Sequence, residues 1–312
     1  MVTVSEETAV DYELTAKIAT DAFAVAHVQF SADRIKWLYE RSFGRGTTVL
    51  AATDDGRKIG QIALIGQSVC VDGEICPAIQ LVDLFILQDY RSAQLVRRLY
   101  KEVERICAER NIRYILALPN DKSVLLNARF LKLGPLMWLP IRAGVSLRRP
   151  TPSKLRYSGL LRSMTRAQAI GLLSAFDCPF SENGLHWDGD TLFDRLDDPT
   201  RDYAVHATAD LLLVSSSRKT GAIAYAALCG FFAGPQAPTS RDDVLELVRA
   251  ACRFWKTPVF VYAGTNARLP QLPGIALPAR LRRPILVQLR DVGDETHAVR
   301  FDRFQLIDSD FA

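Results

Sequence analysis

The chain of 312 residues contains few of the residues that build metal centres or disulfide frameworks. Its six cysteines show no Cys-x-x-Cys spacing, and His27, His186, His206 and His297 show no metal-ligand spacing. We therefore expect no metal site. We expect the histidines to be surface groups or hydrogen-bonded groups of the core.

The sequence also lacks a long apolar run and a strong excess of one charge. No run approaches the roughly 20 apolar residues that cross a bilayer, and the acidic N-terminal sequence has neither the basic start nor the apolar core of a secretion signal. The 39 basic and 35 acidic residues give a formal charge of only +4, which does not indicate a nucleic-acid partner. These absences predict a cytoplasmic globular protein that binds neither membranes nor nucleic acids.

Two of the cysteines flank a turn signal. The Asp-Gly pair between Cys70 and Cys76 predicts a two-residue hairpin. In such a hairpin Cys70 faces Ile75 and Cys76 faces Val69, so the two sulfur atoms lie on opposite faces of the ribbon. The pattern therefore predicts two free thiols and no disulfide.

The two halves of the chain repeat a pattern. The sequences VLAATDDGRKIGQIALI, from Val49, and LLLVSSSRKTGAIAYAAL, from Leu211, each predict a hairpin with Arg-Lys and a glycine at its turn. Each hairpin is followed by an amphipathic helix, at 92–110 or 240–255, and by a strand. The shorter spacing in the second half predicts that it has lost the segment between its hairpin and its helix. Prolines near residue 150 indicate a domain junction there.

The segment LVDLFILQDYRSAQLVRRLY, residues 81–100, predicts a buried strand, a sharp turn and the start of a helix. Leu95, Leu99, Val103 and Ile106 fall on one face of this helix, and Ser92 is its predicted N-cap. The first N–H groups of a helix have no partners within the helix, so such a turn is a common anion-binding device. The usual glycines are absent from it.

This strand, turn and helix, the next strand ending in LPN, and the segment SVLLNARFLKLGP together resemble the core of the GCN5-related N-acetyltransferases. IKWLYERSF is similar to the Trp-containing segment of some bacterial members, which often have tandem domains. The resemblance covers about residues 10–150 and, more weakly, 185–312. It implies an α/β (α+β) protein of two tandem acyl-CoA N-acyltransferase-like domains, 1–150 and a degenerate 151–312, each with a mixed, mostly antiparallel sheet flanked by helices.

The resemblance implies that the turn before the helix binds the pyrophosphate of acetyl-CoA, or of another acyl-CoA, through backbone N–H groups. Gln94 and Val96 occupy positions where the family has small residues, usually glycine, which let a phosphate approach the backbone closely. A guanidinium suits phosphate oxygens, so Arg91 would compensate; alternatively, Arg91 is only a charge at the helix start. The implied pyrophosphate-binding residues are Arg91, Ser92, Ala93, Gln94, Leu95 and Val96.

The resemblance also implies that the fourth and fifth strands separate, so that the backbone around Phe85, Ile86 and Leu87 bonds the pantetheine arm of the cofactor. Asn120 and Ser123 match positions that line the far side of this arm. Their alternative roles are a turn residue and an N-cap-like residue, respectively.

Acyl transfer to an amine needs a base, and Asp83 is the candidate. It lies in the otherwise apolar strand QLVDLFIL, where burial of a carboxylate is costly and raises its pKa. The alternative is a structural pairing with a basic neighbour. The general acid is harder to assign, because Phe130 stands where the family often has a tyrosine, and neither Tyr90 nor Tyr114 can be placed from the sequence.

The preferred hypothesis is an acyl-CoA dependent N-acyltransferase for the amine of a small molecule or sugar. One alternative is a non-catalytic binding protein that has lost the chemistry. Another is an acyltransferase whose donor is an acyl carrier protein, which the basic stretch 141–166 would contact. We expect the second half to close one side of the acceptor cleft or to form the subunit contact of a homodimer. The acidic C-terminal sequence FDRFQLIDSDFA resembles the ends of related tandem proteins, which suggests that it reaches the acceptor site.

Overall fold

The computed structural model describes residues 1–23, 30–146, 154–176, 182–234, 239–282, 284–294 and 298–310. Within these ranges the chain forms sixteen strands and seven α-helices. The strands are β1 (Val2–Glu6), β2 (Thr47–Asp54), β3 (Arg57–Val71), β4 (Glu74–Ile86), β5 (Tyr114–Ala117), β6 (Gly134–Leu139), β7 (Ile141–Val145), β8 (Tyr157–Leu160), β9 (Gly184–Leu185), β10 (Tyr203–Ala207), β11 (Leu211–Thr220), β12 (Ile223–Ala233), β13 (Val259–Asn266), β14 (Ile275–Ala276), β15 (Ile285–Asp291) and β16 (Arg303–Gln305). The helices are α1 (Tyr12–Phe23), α2 (Ala32–Glu40), α3 (Ala93–Glu109), α4 (Ser123–Leu131), α5 (Arg166–Ser174), α6 (Gly189–Leu196) and α7 (Arg241–Phe254).

The strands join into one continuous sheet that is mixed and mostly antiparallel. The parallel pairs are β4 with β5, β12 with β13, and β9 with β16. Each half of the chain contributes a run of antiparallel strands that ends in one of the first two parallel pairs: β1, β2, β3 and β4 in the first half, and β8, β10, β11 and β12 in the second. The predicted fold class is therefore confirmed.

Each half of the sheet contains a strand from the other half of the chain. Strand β7 crosses to pair with β13, and β15 returns to lie between β5 and β6. The predicted junction near residue 150 lies outside the described residues. Because of the exchange, neither segment, 1–150 or 151–312, supplies all the strands of its own part of the sheet.

The two halves do repeat one topology, but the predicted alignment of the hairpins is wrong by one strand. Helix α3 connects the parallel strands β4 and β5, and α7 connects β12 and β13 in the same way. Hairpin β11–β12 therefore corresponds to β3–β4, and the second half keeps the strand before its helix. The Arg-Lys pair misled the alignment, because it stands after the hairpin turn, at the start of β3, in the first half. In the second half it stands before the turn, near the end of β11.

The hairpin between β3 and β4 has the predicted register. Cys70 pairs with Ile75 and Cys76 with Val69. The turn residue Asp72 has a φ of 52°, which Asp tolerates better than most residues. Both cysteines are free, so the prediction of two thiols is confirmed.

Three apolar layers surround the sheet. Helix α3 packs on one face of the first part of the sheet through Leu95, Leu99 and Val103. Helix α7 covers the second part through Leu247 and Ala251. The third and largest layer spans both halves, and α2, α5 and α6 contribute to it. The opposite face of the first part, where α1 and α2 lie, is therefore the face that meets the second half.

Candidate active site

The candidate site lies where β4 leaves its partner strand β5. The two strands pair in parallel from Ala78 to Leu81, opposite Tyr114 to Ala117, and β4 continues to Ile86. Among the described residues, no strand pairs with this last part of β4 on the β5 side. The separation leaves backbone groups that a ligand with amide groups can bond.

A β-bulge at Asp83 directs its side chain. The register between β3 and β4 shifts between Gln61 and Ala63, and Asp83 has a φ of 49°. Asp is one of the few residues that adopt this left-handed region readily. The bulge turns Asp83 toward α2, on the same face as Val82, whereas regular alternation would place adjacent side chains on opposite faces.

The carboxylate of Asp83 accepts a hydrogen bond from Tyr39 of α2. The Tyr39 hydroxyl lies 2.7 Å from Oδ2 of Asp83, and it accepts a bond of 2.7 Å from Nε2 of Gln61. Burial raises the pKa of Asp83, whereas Tyr39 and the charge of Arg34 lower it. Burial, followed by the charge of Asp83, raises the pKa of Tyr39 well above its usual range. The hydroxyl therefore stays protonated and donates to Asp83.

Sequence analysis did not select Tyr39. A signal was available in IKWLYERSF, where Ile35, Leu38 and Tyr39 all fall on the buried face of a short helix. A tyrosine hydroxyl on a buried face needs a hydrogen-bond partner, and a buried Asp needs a donor. The two residues are far apart in the chain, so only the fold brings them together.

The C-terminal segment approaches the same site from the second half. Oδ1 of Asp310 accepts a bond of 3.3 Å from Nε2 of Gln80 on β4, and the backbone oxygen of Asp310 accepts one of 3.0 Å from Nη2 of Arg34. Buried Arg195 donates to the carbonyls of Ile307, at 3.0 Å, and Ser309, at 2.5 Å. These bonds hold the last described residues beside β4.

The start of α3 is an open helix terminus. Ser92 is the N-cap as predicted: its Oγ accepts from the Leu95 amide and its carbonyl from the Val96 amide, each at 3.2 Å. Those two amides are therefore used within the helix. No bond to a described residue engages the amides of Ser92, Ala93 or Gln94, whose residues are exposed.

Arg91 fixes the shape of the turn. Its Nε donates to the carbonyl of Ile86 at 3.0 Å, and its Nη2 donates to the carbonyl of Ala22, near the end of α1, at 2.5 Å. The guanidinium thus ties the end of β4 to α1. This tie between two backbone carbonyls is neither the predicted phosphate contact nor the alternative of a charge at the helix start, and a phosphate contact would have to share the same side chain.

The backbone of β4 beyond the bulge alternates between its two sides. The Leu87 amide donates to Ile59 of β3, so Leu87 and Phe85 face β3. Leu84 and Ile86 face the open side, and the Ile86 carbonyl accepts from Arg91. Of the three predicted pantetheine contacts, only Ile86 therefore presents its backbone to the cleft. Leu84, which sequence analysis did not select, also does.

The residues predicted on the far side of the cleft lie at the start of α4. Oδ1 of Asn120 accepts from the amides of Lys122 and Ser123, each at 3.0 Å, and the Ser123 hydroxyl lies 3.2 Å from the same oxygen. Asn120 thus has the turn role that was its predicted alternative, whereas Ser123 is the first residue of the helix and not its N-cap. Neither side chain is turned toward Asp83 by these bonds.

The predicted tyrosine candidates do not reach Asp83 in the described contacts. Phe130 packs against Tyr100 with ring centroids 6.1 Å apart. Tyr114 lies at the start of β5, where burial raises its pKa to about 12. Tyr90 lies in the turn before α3 and is half-buried. The hydroxyl next to the candidate base belongs instead to Tyr39.

The corresponding cleft of the second half is filled by the chain itself. Strands β12 and β13 pair only from Ala226 to Leu228 before they separate. The side chain of Gln305 enters the gap: its Oε1 accepts from the Phe231 amide at 2.8 Å, and its Nε2 donates to the Phe231 carbonyl at 3.1 Å. Gln305 is completely buried. This cleft therefore has no open backbone at Phe231.

Among the described residues, no three His, Cys, Asp or Glu side chains are grouped so that they could hold a metal ion. None of the described helices is long and apolar enough to cross a membrane. His206 is a buried core residue with hydrogen bonds, which is one of the two predicted roles for the histidines. His27 and His297 lie outside the described residues.

Comparison with known proteins shows the fold. No protein-family model matches the chain, and no curated protein sequence matches it. Solved structures do match over most of its length. A GCN5-related N-acetyltransferase from Anabaena variabilis is 10% identical with a TM-score of 0.65, covering 94% of this chain and 73% of the other. A tandem GNAT protein from the clavulanic acid biosynthesis pathway is 12% identical with a TM-score of 0.56, covering 94% of this chain and 99% of the other.

An N-myristoyltransferase from Saccharomyces cerevisiae with bound myristoyl-CoA also matches. It is 12% identical with a TM-score of 0.60, over 96% of this chain and 82% of the other. The chain therefore has the fold of the GCN5-related N-acetyltransferases, similar to that of a tandem protein. At these identities the likeness establishes the fold alone.

Proposed function

We propose that the N-terminal half binds an acyl-CoA and transfers its acyl group to the amine of a small molecule or sugar. The observation that carries the proposal is the separation of β4 from β5 beyond Leu81, beside Asp83, together with the first amides of α3, which have no described partners. An amide-containing arm ending in a diphosphate complements these two features, because the backbone of β4 bonds amides and the helix start bonds anions.

In this proposal the site residues have separate tasks. The amides of Ser92, Ala93 and Gln94 bond the pyrophosphate, and Arg91 holds the turn that presents them. The thioester lies beside the bulge, where an acceptor amine approaches from the α2 face. The carbonyl carbon of the thioester accepts the amine lone pair, and the carbon–sulfur bond then breaks to release the thiol.

Calorimetric titration with acetyl-CoA and with CoA tests the binding step. We expect saturable binding of both and a roughly tenfold loss for Arg91→Ala, which corresponds to the loss of one charge-assisted interaction of about 1.4 kcal/mol. Arg253→Ala, which removes an exposed arginine of α7, is the matched control. Absence of uptake by the native protein would reject the proposal.

A thiol-release assay with acetyl-CoA and a panel of amines, including glucosamine, tests the transfer step. Thiol release that depends on the amine supports an acyltransferase. Tight cofactor binding with no thiol release across the panel would instead support a non-catalytic binding protein, which the replaced glycine positions and Phe130 favour.

The same turn leaves an acyl carrier protein as an alternative donor. Gln94 and Val96 stand at positions that approach a nucleotide pyrophosphate most closely in the resembled family, and a carrier-bound pantetheine has no such pyrophosphate. Part of the basic stretch 141–166 lies outside the described residues. Transfer from an acylated carrier protein that weakens with salt, without binding of free CoA, would identify this donor.

A further inference from the structure

The two halves of the chain bring two carboxyl groups to one place. Asp83 lies on the bulge of β4, and Asp310 comes from the C-terminal segment and bonds Gln80 of the same strand. Both residues are half-buried. The charge of Asp83 acts on Asp310, which shows that the two groups interact.

The surroundings of the two carboxyl groups differ. Asp83 is fixed by a donor that stays protonated, because the Tyr39 hydroxyl bonds its Oδ2 at 2.7 Å. Asp310 has a longer bond, 3.3 Å, from the neutral amide of Gln80. Burial and then the charge of Asp83 raise the pKa of Asp310 to about 6. Because the charge of Asp83 raises the pKa of Asp310, Asp83 carries its charge while Asp310 exchanges protons near neutral pH.

The other groups around Asp83 and Asp310 are consistent with these two roles. Arg34 of α2 lowers the pKa of both acids, and Arg195 of α6 lowers that of Asp310. Arg34 is also 3.7 Å from the buried carboxylate of Asp198. The remaining groups that the described contacts place against the pair are Tyr39 and the neutral amides of Gln61, Gln67 and Gln80.

We propose that Asp310, and not Asp83, removes the proton from the acceptor amine, while Asp83 holds the negative charge that keeps the ammonium group in the cleft. The proposal rests on the function proposed above. The ammonium gives one proton to the Asp310 carboxylate, and its nitrogen forms a bond to the thioester carbon. The carbon–sulfur bond breaks, the departing sulfur takes the second nitrogen proton, and Asp310 releases its proton to water.

In this proposal the second half of the chain supplies the base and fixes its position. Arg195 and Arg34 hold the backbone of residues 307–310 through three carbonyl oxygens, so the position of Asp310 is set by bonds that do not involve its own carboxyl group. An Asp310→Asn substitution therefore keeps these bonds. It removes only the ability to accept a proton.

The pH dependence of kcat/KM for acetyl-CoA and glucosamine tests the assignment, with the ionisation of the amine measured separately. We expect kcat/KM of the native protein to rise with pH, with a midpoint near 6. Asp310→Asn should lower kcat/KM by about 10²-fold or more at pH 7 and abolish this rising limb of the pH profile. Asp310→Glu should restore part of the activity. A limb that persists in Asp310→Asn with the same midpoint would overturn the proposal.

Asp83→Asn distinguishes the two acids. If Asp310 is the base, loss of the Asp83 charge lowers the pKa of Asp310, so the limb remains and moves to lower pH. If Asp83 is the base, the limb disappears, which would overturn the proposal. Asp302→Asn is the matched control, because Asp302 lies earlier in the same segment and bonds Asn183, away from β4.

Carboxyl-carbon NMR titration makes failure of this inference distinguishable from failure of the proposed function. We expect one aspartate that titrates near pH 6 and is lost in Asp310→Asn. If the native protein releases no thiol with any amine, the proposed function and the base assignment both fail. If it is active and the signal near pH 6 is lost in Asp83→Asn instead, only the base assignment fails.

Discussion

The clefts of the two halves share a topology but differ in what occupies them. In the N-terminal half, β4 and β5 separate after Leu81, and no described strand pairs with the rest of β4 on that side. In the C-terminal half, β12 and β13 separate in the same way, and Gln305 bonds both the N–H and the C=O of Phe231. Both Leu84 and Phe231 lie three residues beyond the last parallel pair of their strands.

The closed cleft shows what the open one is suited to bind. A primary amide satisfies the donor and the acceptor of one strand residue at once, and the fold supplies this amide from its own chain. The comparison thus supports an amide-containing arm, such as pantetheine, in the N-terminal cleft.

The bulges of the two halves also differ. The shift in β4 places the acidic, hydrogen-bonded Asp83 toward the interior. The shift between β11 and β12 leaves Cys229 as the extra residue, and its Sγ lies 3.4 Å from the Ser216 hydroxyl. The second site therefore lacks a carboxylate as well as an open strand edge. The C-terminal segment links the two sites, since Gln305 fills one and Asp310 approaches the other.

The largest expected effect comes from removing the side chain that fills the second cleft. Gln305→Leu leaves the amide of Phe231 buried without its side-chain partner and removes the acceptor of the 3.1 Å bond from the buried Tyr262 hydroxyl, whereas the Phe231 carbonyl keeps its bond from Asn266. Each such loss costs about 1 to 3 kcal/mol, so we expect the free energy of unfolding to fall by about 3 kcal/mol or more. Urea unfolding at pH 7 measures it.

The matched control for this substitution is Gln94→Leu. Gln94 is an exposed glutamine at the start of α3, in the half whose cleft is open. Its replacement should change the free energy of unfolding by less than about 0.5 kcal/mol. Equal stabilities for the two variants would show that Gln305 does not stabilise the closed cleft.

The next effect is an opposite response of two groups, His206 and Asp310, to acid. Burial lowers the pKa of His206 to about 4 between the hydroxyls of Ser158 and Ser215. Below pH 6.5 the unfolded chain binds a proton that the folded histidine does not, so this group should cost about 2 to 3 kcal/mol of stability between pH 7 and 4.5. Asp310, with its raised pKa, binds its proton more tightly when folded and should offset about 2 kcal/mol in the same range.

Urea unfolding at several pH values separates the two groups. His206→Gln should flatten the loss of stability on acidification, although it lowers stability at pH 7. Asp310→Asn should make the loss steeper. Parallel curves for the native protein and both variants would contradict the two pKa shifts.

A smaller effect is expected at the bulge. Asp83→Asn retains an oxygen for the Tyr39 hydroxyl and a residue type that tolerates a φ of 49°, so stability should change little. Asp83→Ala loses both features and should cost about 1 to 2 kcal/mol. Thermal unfolding compares the two variants. The same pair of substitutions at Cys229, which is not among the described residues with positive φ, should not show the preference for Asn.

Local features of this fold could be predicted from the sequence, and contacts between distant segments could not. The Ser92 cap and the register of Cys70 and Cys76 depend on neighbouring residues, and both predictions were confirmed. The bond between Tyr39 and Asp83 joins residues 44 positions apart, and the Gln305 bond to Phe231 joins residues 74 apart. A polar side chain in an apolar strand indicates that a partner exists, but it does not say which one.

The smallest expected effect concerns the turn that the sequence left without glycines. Gln94 is exposed at the start of α3, and its amide has no described partner. Gln94→Gly removes a Cβ beside the proposed pyrophosphate site and should tighten acetyl-CoA binding several-fold, while costing up to about 1 kcal/mol of helix stability. Arg241→Gly, at the first residue of α7, is the control, because it carries the same helix cost in the half whose cleft is closed. If calorimetry shows that Gln94→Gly weakens binding, the side chain itself contacts the cofactor, and the open turn is a recognition element of the N-terminal half and not a degraded glycine loop.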